Sequence, residues 1–180
     1  MIRKMPEGSS IKLSPTKGAE GQSMTIAAGR SKMLLNCLPA SHYPNLSTGE
    51  FPVEFPMKSS YLRNLIACTS FAISTEETRY YLNGVYVHAG MGEQKDKMIA
   101  VATDGHRLSR YMMDLPAGAG AMPGIIIQRK TIHTIAALLK TGDVDVTVRV
   151  SDTKIQIETE VFTLTSKLID GAFPDYVRVI

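Results

Sequence analysis

Two hydrophobic rhythms alternate along this chain. Leu62, Leu65, Ile66 and Phe71 recur at helical spacing and predict a helix over 57–72, behind a strand-like Pro52-Val53-Glu54-Phe55-Pro56. The same grammar returns at Gly124-Ile125-Ile126-Ile127, a predicted strand. It is followed by Ile132, Ile135, Ala136 and Leu139 on one stripe of a helix over 129–140, with Gly142 as its stop. Elsewhere the period is two. Residues 144–150 alternate apolar and polar side chains, Ser151-Asp152-Thr153 turns the chain, and 154–159 alternates again. Strands are also predicted at 80–87, 97–103, 106–113 and 161–169, with a bulge in place of a turn at Asn83-Gly84. This part of the chain therefore reads β-α-β-β-β, twice, an α+β arrangement, with Lys58 and Lys130 near the two helix starts.

A longer period overlies the short ones. Leu34 and Leu164, Leu38 and Leu168, Tyr43 and Phe173, and Pro44 and Pro174 are each 130 positions apart. Upstream, a helix remnant ending at Gly8 and strands at 10–13, 24–28 and 32–38 look like the end of the same unit. Residues 1–50 are therefore expected to be the C-terminal part of one domain, and 51–180 a complete second copy. The chain stops just after a Phe-Pro-Asp-Tyr corner, as an excised piece of a longer repeat protein would.

Composition narrows the class. At 180 residues, 44% hydrophobic and 21% charged, the chain has an ordinary globular profile. It has neither a membrane-length apolar run nor the apolar core of a signal peptide, which points to the cytoplasm. Two cysteines, Cys37 and Cys68, make neither a disulfide framework nor a zinc site, so no metal or cofactor is expected. A net charge of +3 carries little by itself. Its distribution says more: residues 55–75 and 115–142 contain no Asp or Glu, while Lys58, Arg63, Arg129, Lys130 and Lys140 fall within them. Surfaces without carboxylates do not repel a polyanion. Chance clustering on solvated helix faces is the plain alternative.

Three segments carry a resemblance. Residues 71–84, Phe71 to Gly84 with Arg79-Tyr80-Tyr81-Leu82-Asn83-Gly84 at their end, are similar to the start of the middle domain of the bacterial beta clamps, the DNA polymerase III beta subunit family. Ala102-Thr103-Asp104-Gly105-His106-Arg107-Leu108 resembles their most recognisable signature. Thr165 to Gly171 with Phe173-Pro174-Asp175-Tyr176 and Arg178-Val179 resembles that domain's end. The likeness runs in order through 51–180, and more loosely through 1–50 as the end of the first clamp domain, with the third domain absent. It implies a DNA-clamp fold in which helices lie on one face of antiparallel sheet. It implies a non-catalytic processivity factor, homodimeric in full-length form, whose ring of six like domains surrounds duplex DNA without reading its sequence. The replicative polymerase's catalytic subunit, the clamp loader and other clients would dock through short hydrophobic motifs.

Carried over residue by residue, the peptide pocket would use Arg79, Leu82, Thr103, Gly105, His106, Arg107 and Leu108 on one side and Pro174, Arg178 and Val179 on the other. Leu82, Leu108, Pro174 and Val179 would bury a client's Leu and Phe, and the arginines would meet its carbonyls or an acidic side chain. A plain turn at Asp104-Gly105 is the bland alternative. Arg63, Arg129 and Lys130 lead the DNA-facing candidates, followed by Lys58, Lys140, and Tyr80 and Tyr81. On a strand, one of the two tyrosines would point inward. The ten methionines read as core filler, and His42, His88 and His133 suggest no constellation. Two rivals remain. One is a β-rich peptide-binding module without DNA function. The other is a hydrolase pairing Asp104 with His106 across one strand face, which lacks a nucleophile motif, phosphate loop or metal-ligand spacing.

Overall fold

The period-two stretches fold into antiparallel sheet in each of the chain's two compact units, Met1–Ser47 and Thr48–Ile180. The computed structural model describes residues 7–15, 23–43 and 49–180. In the first unit β1 (Ile11–Pro15), β2 (Ser23–Ala28) and β3 (Ser31–Asn36) form a meander of order β1-β2-β3. Ile26 and Ala28 are its buried apolar side chains, while Leu13, Leu34, Leu38 and Tyr43 stand exposed. Residues 1–6 of the helix remnant expected to end at Gly8, and Pro44 of the 44/174 pair, fall outside the described residues.

The second unit runs β4 (Val53–Lys58), α1 (Ser59–Thr69), β5 (Gly84–Ala89), β6 (Lys97–Thr103) and β7 (Leu108–Asp114). It repeats as β8 (Ile125–Gln128), α2 (Arg129–Leu138), β9 (Asp145–Val150), β10 (Lys154–Glu158) and β11 (Thr163–Lys167). The duplicated β-α-β-β-β order is therefore present. Its two sheets are β11-β10-β9-β4 and β7-β6-β5-β8. Each half lends its first strand to the other: β4 pairs with β9, from Val53 opposite Val150 to Lys58 opposite Asp145, and β8 pairs with β5. The helix starts match this exchange. The Ser59 amide donates to Val144 O and the Arg129 amide to Asn83 O, each at 2.9 Å. The three-strand meander of the first unit has the order of β9-β10-β11.

Both helices pack on the β7-β6-β5-β8 sheet, and one core joins them to both sheets. Leu62, Leu65 and Ile66 come from α1, Ile132 and Ile135 from α2, Val85 and Val87 from β5, and Val146, Val148 and Val150 from β9. Burial of each such side chain stabilises the fold by about 1.5–3 kcal/mol.

Three local expectations need correction. The first helix starts at Ser59, not 57, because Met57 and Lys58 are still paired to Val146 and Asp145. It ends at Thr69, whose hydroxyl donates back to Leu65 O at 2.7 Å, and a 3-10 turn covers Ser70–Ala72. Tyr80–Leu82 is a 3-10 turn and not strand, closed by the Asn83 amide on Tyr80 O and tied inward by the Ser74 amide on Leu82 O. The second helix ends at Leu138, and Gly142, with φ +75°, turns the chain back toward β9.

Candidate functional site

Residues 104–107 form a tight loop between β6 and β7. The Asp104 carboxylate caps it: Oδ1 accepts the His106 and Arg107 amides at 3.0 Å each, and Oδ2 accepts Arg107 Nε at 3.0 Å. Thr103 Oγ1 donates to Arg107 O at 2.8 Å and accepts the Gly105 amide at 3.1 Å. Gly105 has φ +90°, a conformation an L side chain adopts only under strain, and a Cβ there would lie 2.7 Å from Arg79 Nη1. Loop and Arg79 therefore touch, and Arg79 Nη2 also donates to Asp104 O at 3.5 Å. The guanidinium of Arg79 is engaged by Glu76 at 2.6 and 2.8 Å, while the Arg107 guanidinium lies 5.9 Å from the centre of the exposed Phe71 ring.

The two backbone amides, and then Arg107, pull the Asp104 carboxyl down to about 2. A group held ionised that far below neutrality is a poor general base. The loop also removes the strand face that the hydrolase reading required, since 104–107 is not strand. That reading is set aside.

Chain segment 173–179 supplies the other candidate wall. Phe173 and Tyr176 face the outer side of the β7-β6-β5-β8 sheet, where they form a second apolar cluster with Ile99, Val101, Tyr86 and Leu108. Pro174, Arg178 and Val179, on the same segment, are exposed, Val179 at 74%, and Arg178 pairs with Asp175 at 2.7 Å. Leu108 is the residue common to loop and tail. Leu82 departs from expectation. It is 4% exposed, already buried within the unit, and offers a client almost no surface.

The cation candidates separate into two kinds. Arg129, Lys130 and Lys140 are exposed and make no ion pair among the described residues, and Arg129 and Lys130 share a concave patch with His133 and Thr134 on the outer side of α2. Lys58 and Arg63 are engaged. Lys58 Nζ lies 2.7 Å from Asp145 Oδ1, which raises its pKa through hydrogen bonding and charge. Asp143 accepts the Ser60 amide at 3.0 Å and the Ser59 hydroxyl at 3.3 Å, capping α1 from across the unit. These bonds hold its carboxyl below the usual range. The acid-free windows thus do not give acid-free surroundings, because the turn after α2 carries Asp143 and Asp145 back to the start of α1. Arg63 Nη1 donates to Ser59 Oγ, Leu139 O and Gly142 O.

Tyr80 is exposed and Tyr81 half-buried, their rings edge to face at 5.8 Å, so neither points into the core. The expectation of one buried tyrosine fails because the segment is not strand. Sequence reading also missed His88. Its Nε2 is 2.8 Å from the Tyr176 hydroxyl and its ring stacks on Tyr86 at 4.9 Å. The signal was there: Tyr86 and His88, two apart on a strand, share a face.

Among the described residues no His, Cys, Asp and Glu grouping could hold a metal, and no helix is long and apolar enough to cross a membrane.

The family model for the DNA polymerase III beta subunit, central domain, matches residues 56–175. The beta sliding clamp of Caulobacter vibrioides is 44% identical over 180 residues, all of this chain and 48% of that protein. The beta sliding clamp of Escherichia coli K12 is 35% identical over 182 positions, 47% of its length. A crystal structure of the Bartonella birtlesii DnaN sliding clamp (DNA polymerase III subunit beta) bound to griselimycin covers 99% of this chain with a TM-score of 0.86 at 45% identity, over 47% of its own length. A Caulobacter crescentus beta sliding clamp structure gives 0.86 at 46% identity, again over 99% of this chain and 47% of that one. The chain spans about half the length of the curated relatives it matches.

Proposed function

The chain belongs to the DNA polymerase III beta subunit family, the beta sliding clamps, and from that membership we propose that it contributes to a ring that encircles duplex DNA and tethers the replicative polymerase. In this reading residues 1–50 are the end of the first clamp domain and 51–180 the middle domain. The full-length protein is a cytoplasmic homodimer and a non-catalytic accessory subunit. Its clients, the polymerase catalytic subunit and the clamp loader among them, bring short hydrophobic motifs to the surface made by Arg79, Thr103, Gly105, His106, Arg107, Leu108, Pro174, Arg178 and Val179. Griselimycin, which the Bartonella clamp binds, is proposed to occupy the same surface.

The observation that carries the DNA half is α2, an acid-free helix whose Arg129 and Lys130 are exposed without a carboxylate partner among the described residues. A ring that slides needs phosphate attraction and no hydrogen bonds to base edges, because base contacts create stopping points. Few unpaired cations meet that need. Retention then comes from closure of the ring and not from tight contacts. Tyr80 and Tyr81 are proposed to meet unpaired bases at its rim.

Loading the full-length protein onto circular and linear DNA tests the ring: it should persist on circles and run off free ends. Equal retention on both would exclude encirclement and favour a peptide-binding module without DNA function.

A further inference from the structure

The segment bearing Pro174, Arg178 and Val179 has an unusual attachment. The last backbone hydrogen bonds from this end of the chain to the sheets are those of the Leu168 amide on Thr153 O and the Ile169 amide on Ile126 O. Beyond them, among the described residues, no backbone hydrogen bond joins 170–180 to either sheet. Gly171 lies against Tyr80 and Tyr81, and beyond it two side chains seat the segment on the sheet. Phe173 stacks on Tyr86 at 4.9 Å with ring planes 8° apart, and Tyr176 meets His88. Tyr86 and His88 stack on each other, so four rings form one connected set. Underneath, Ile99 and Val101 are sealed from solvent.

The bonding at His88 has a direction. Ala89 O, 2.7 Å from Nδ1, can only accept, so Nδ1 carries the proton in the neutral ring. Nε2 is then an acceptor, and the Tyr176 hydroxyl donates to it. The carbonyl sets the tautomer, and the tautomer makes the Tyr176 hydroxyl the donor.

We propose that Tyr86 and His88, which lie outside the client surface, are its positioning residues: through Phe173 and Tyr176 they set the placement of Pro174, Arg178 and Val179. This rests on the peptide-binding reading above. A wall held by two ring contacts in place of a backbone ladder moves when either contact is altered, without unfolding of the sheet beneath.

The test is a double-mutant cycle, His88→Phe and Tyr176→Phe, in the full-length protein. Affinity for a synthetic peptide with a Leu-x-Phe core, and for griselimycin, is read beside the thermal unfolding midpoint. Each single variant keeps its ring and should weaken binding by about three- to tenfold, with the double variant no weaker than the singles, as one coupled hydrogen bond requires. The unfolding midpoint should change little. Tyr86→Leu, which removes the stack under Phe173, should also weaken binding. Wild-type affinity in all the variants, or losses that merely follow the fraction unfolded, would overturn the positioning role. Failure of the unaltered protein to bind either probe would remove the peptide-binding reading, and this inference with it.

Discussion

The guanidinium of Arg63 reaches from α1 to the far end of α2, donating to the carbonyl oxygen of Gly142 at 2.7 Å and to that of Leu139 at 3.1 Å. Those carbonyls are orphans beyond the last turn of α2, and a cation is the natural partner for them. Arg63 is thus a strut between the two helices as well as a candidate for phosphate. Arg63→Ala is expected to destabilise the unit by about 2 kcal/mol, the usual worth of a charged hydrogen bond. Urea unfolding with an unchanged midpoint would refute the strut.

Phosphate attraction is expected to concentrate on the cations that have no local partner. Replacing Arg129 and Lys130 with Ala should flatten the slope of log affinity against log salt by about 2 for each subunit that contacts DNA, close to 0.9 per lost phosphate contact. Lys58→Ala should change it little, because Asp145 holds that ammonium at 2.7 Å. Asp145→Ala should steepen the slope by freeing Lys58. Equal effects of Lys58 and Lys130 would show that the pairing does not matter in solution.

The loop at 104–107 should respond to acid late. Asp104 is ionised in the fold down to about 2, against an ordinary value of 3.8. Because the folded value is the lower, the carboxylate cap favours the folded loop at all pH above the ordinary value. Its contribution fades between the two values and is gone below 2. The His106 and Arg107 amide resonances should therefore titrate with a midpoint near 2. A midpoint near 4 would mean that the cap is absent.

On the client surface, Val179→Asp is expected to weaken the Leu-x-Phe peptide by tenfold or more, roughly the cost of setting a charge against an apolar side chain. The unfolding midpoint should stay unchanged, because Val179 is 74% exposed and supports no core. Leu108→Ala should lower both affinity and stability, since Leu108 packs with Ile99 and Val101. Peptide-induced shifts of the Leu108 and Val179 methyl resonances would report contact directly. An unshifted spectrum at millimolar peptide would argue against the surface.

Much of this fold was legible because its strands are half-buried. Val146, Val148 and Val150 against Asp145, Thr147 and Arg149 is an alternation that only a two-faced strand requires, and it predicted β9 to within one residue. The stripe of Ile132 and Ile135 predicted α2 from its first residue, though two residues too long at its end. Periodicity reports which side a residue faces, not which strand lies beside it, so the exchange of β4 and β8 between halves stayed invisible. Tyr80-Tyr81-Leu82 has strand propensity, yet the Asn83 amide closes a 3-10 turn on Tyr80 O and the Ser74 amide, eight residues back, holds Leu82 O, a pairing that periodicity does not report. Charge was misread for a related reason: Asp143 and Asp145 lie just past an acid-free window in sequence and beside the start of α1 in space. The loop and the tail of the candidate site were visible only through the family likeness. Nothing in their spacing would have joined Leu108 to Tyr176.

The exchange of first strands has a consequence for biosynthesis. As the polypeptide emerges from the ribosome, Val53 has no neighbour until Val150 has been made, whereas β5, β6 and β7 can assemble at once as a local meander. The early strand must wait, its backbone donors and acceptors open, through most of the unit's synthesis. Loop closure over such a distance is slow, and an unpaired edge is prone to mispairing meanwhile. Neither half is a minimal folding module; the interlocked pair is.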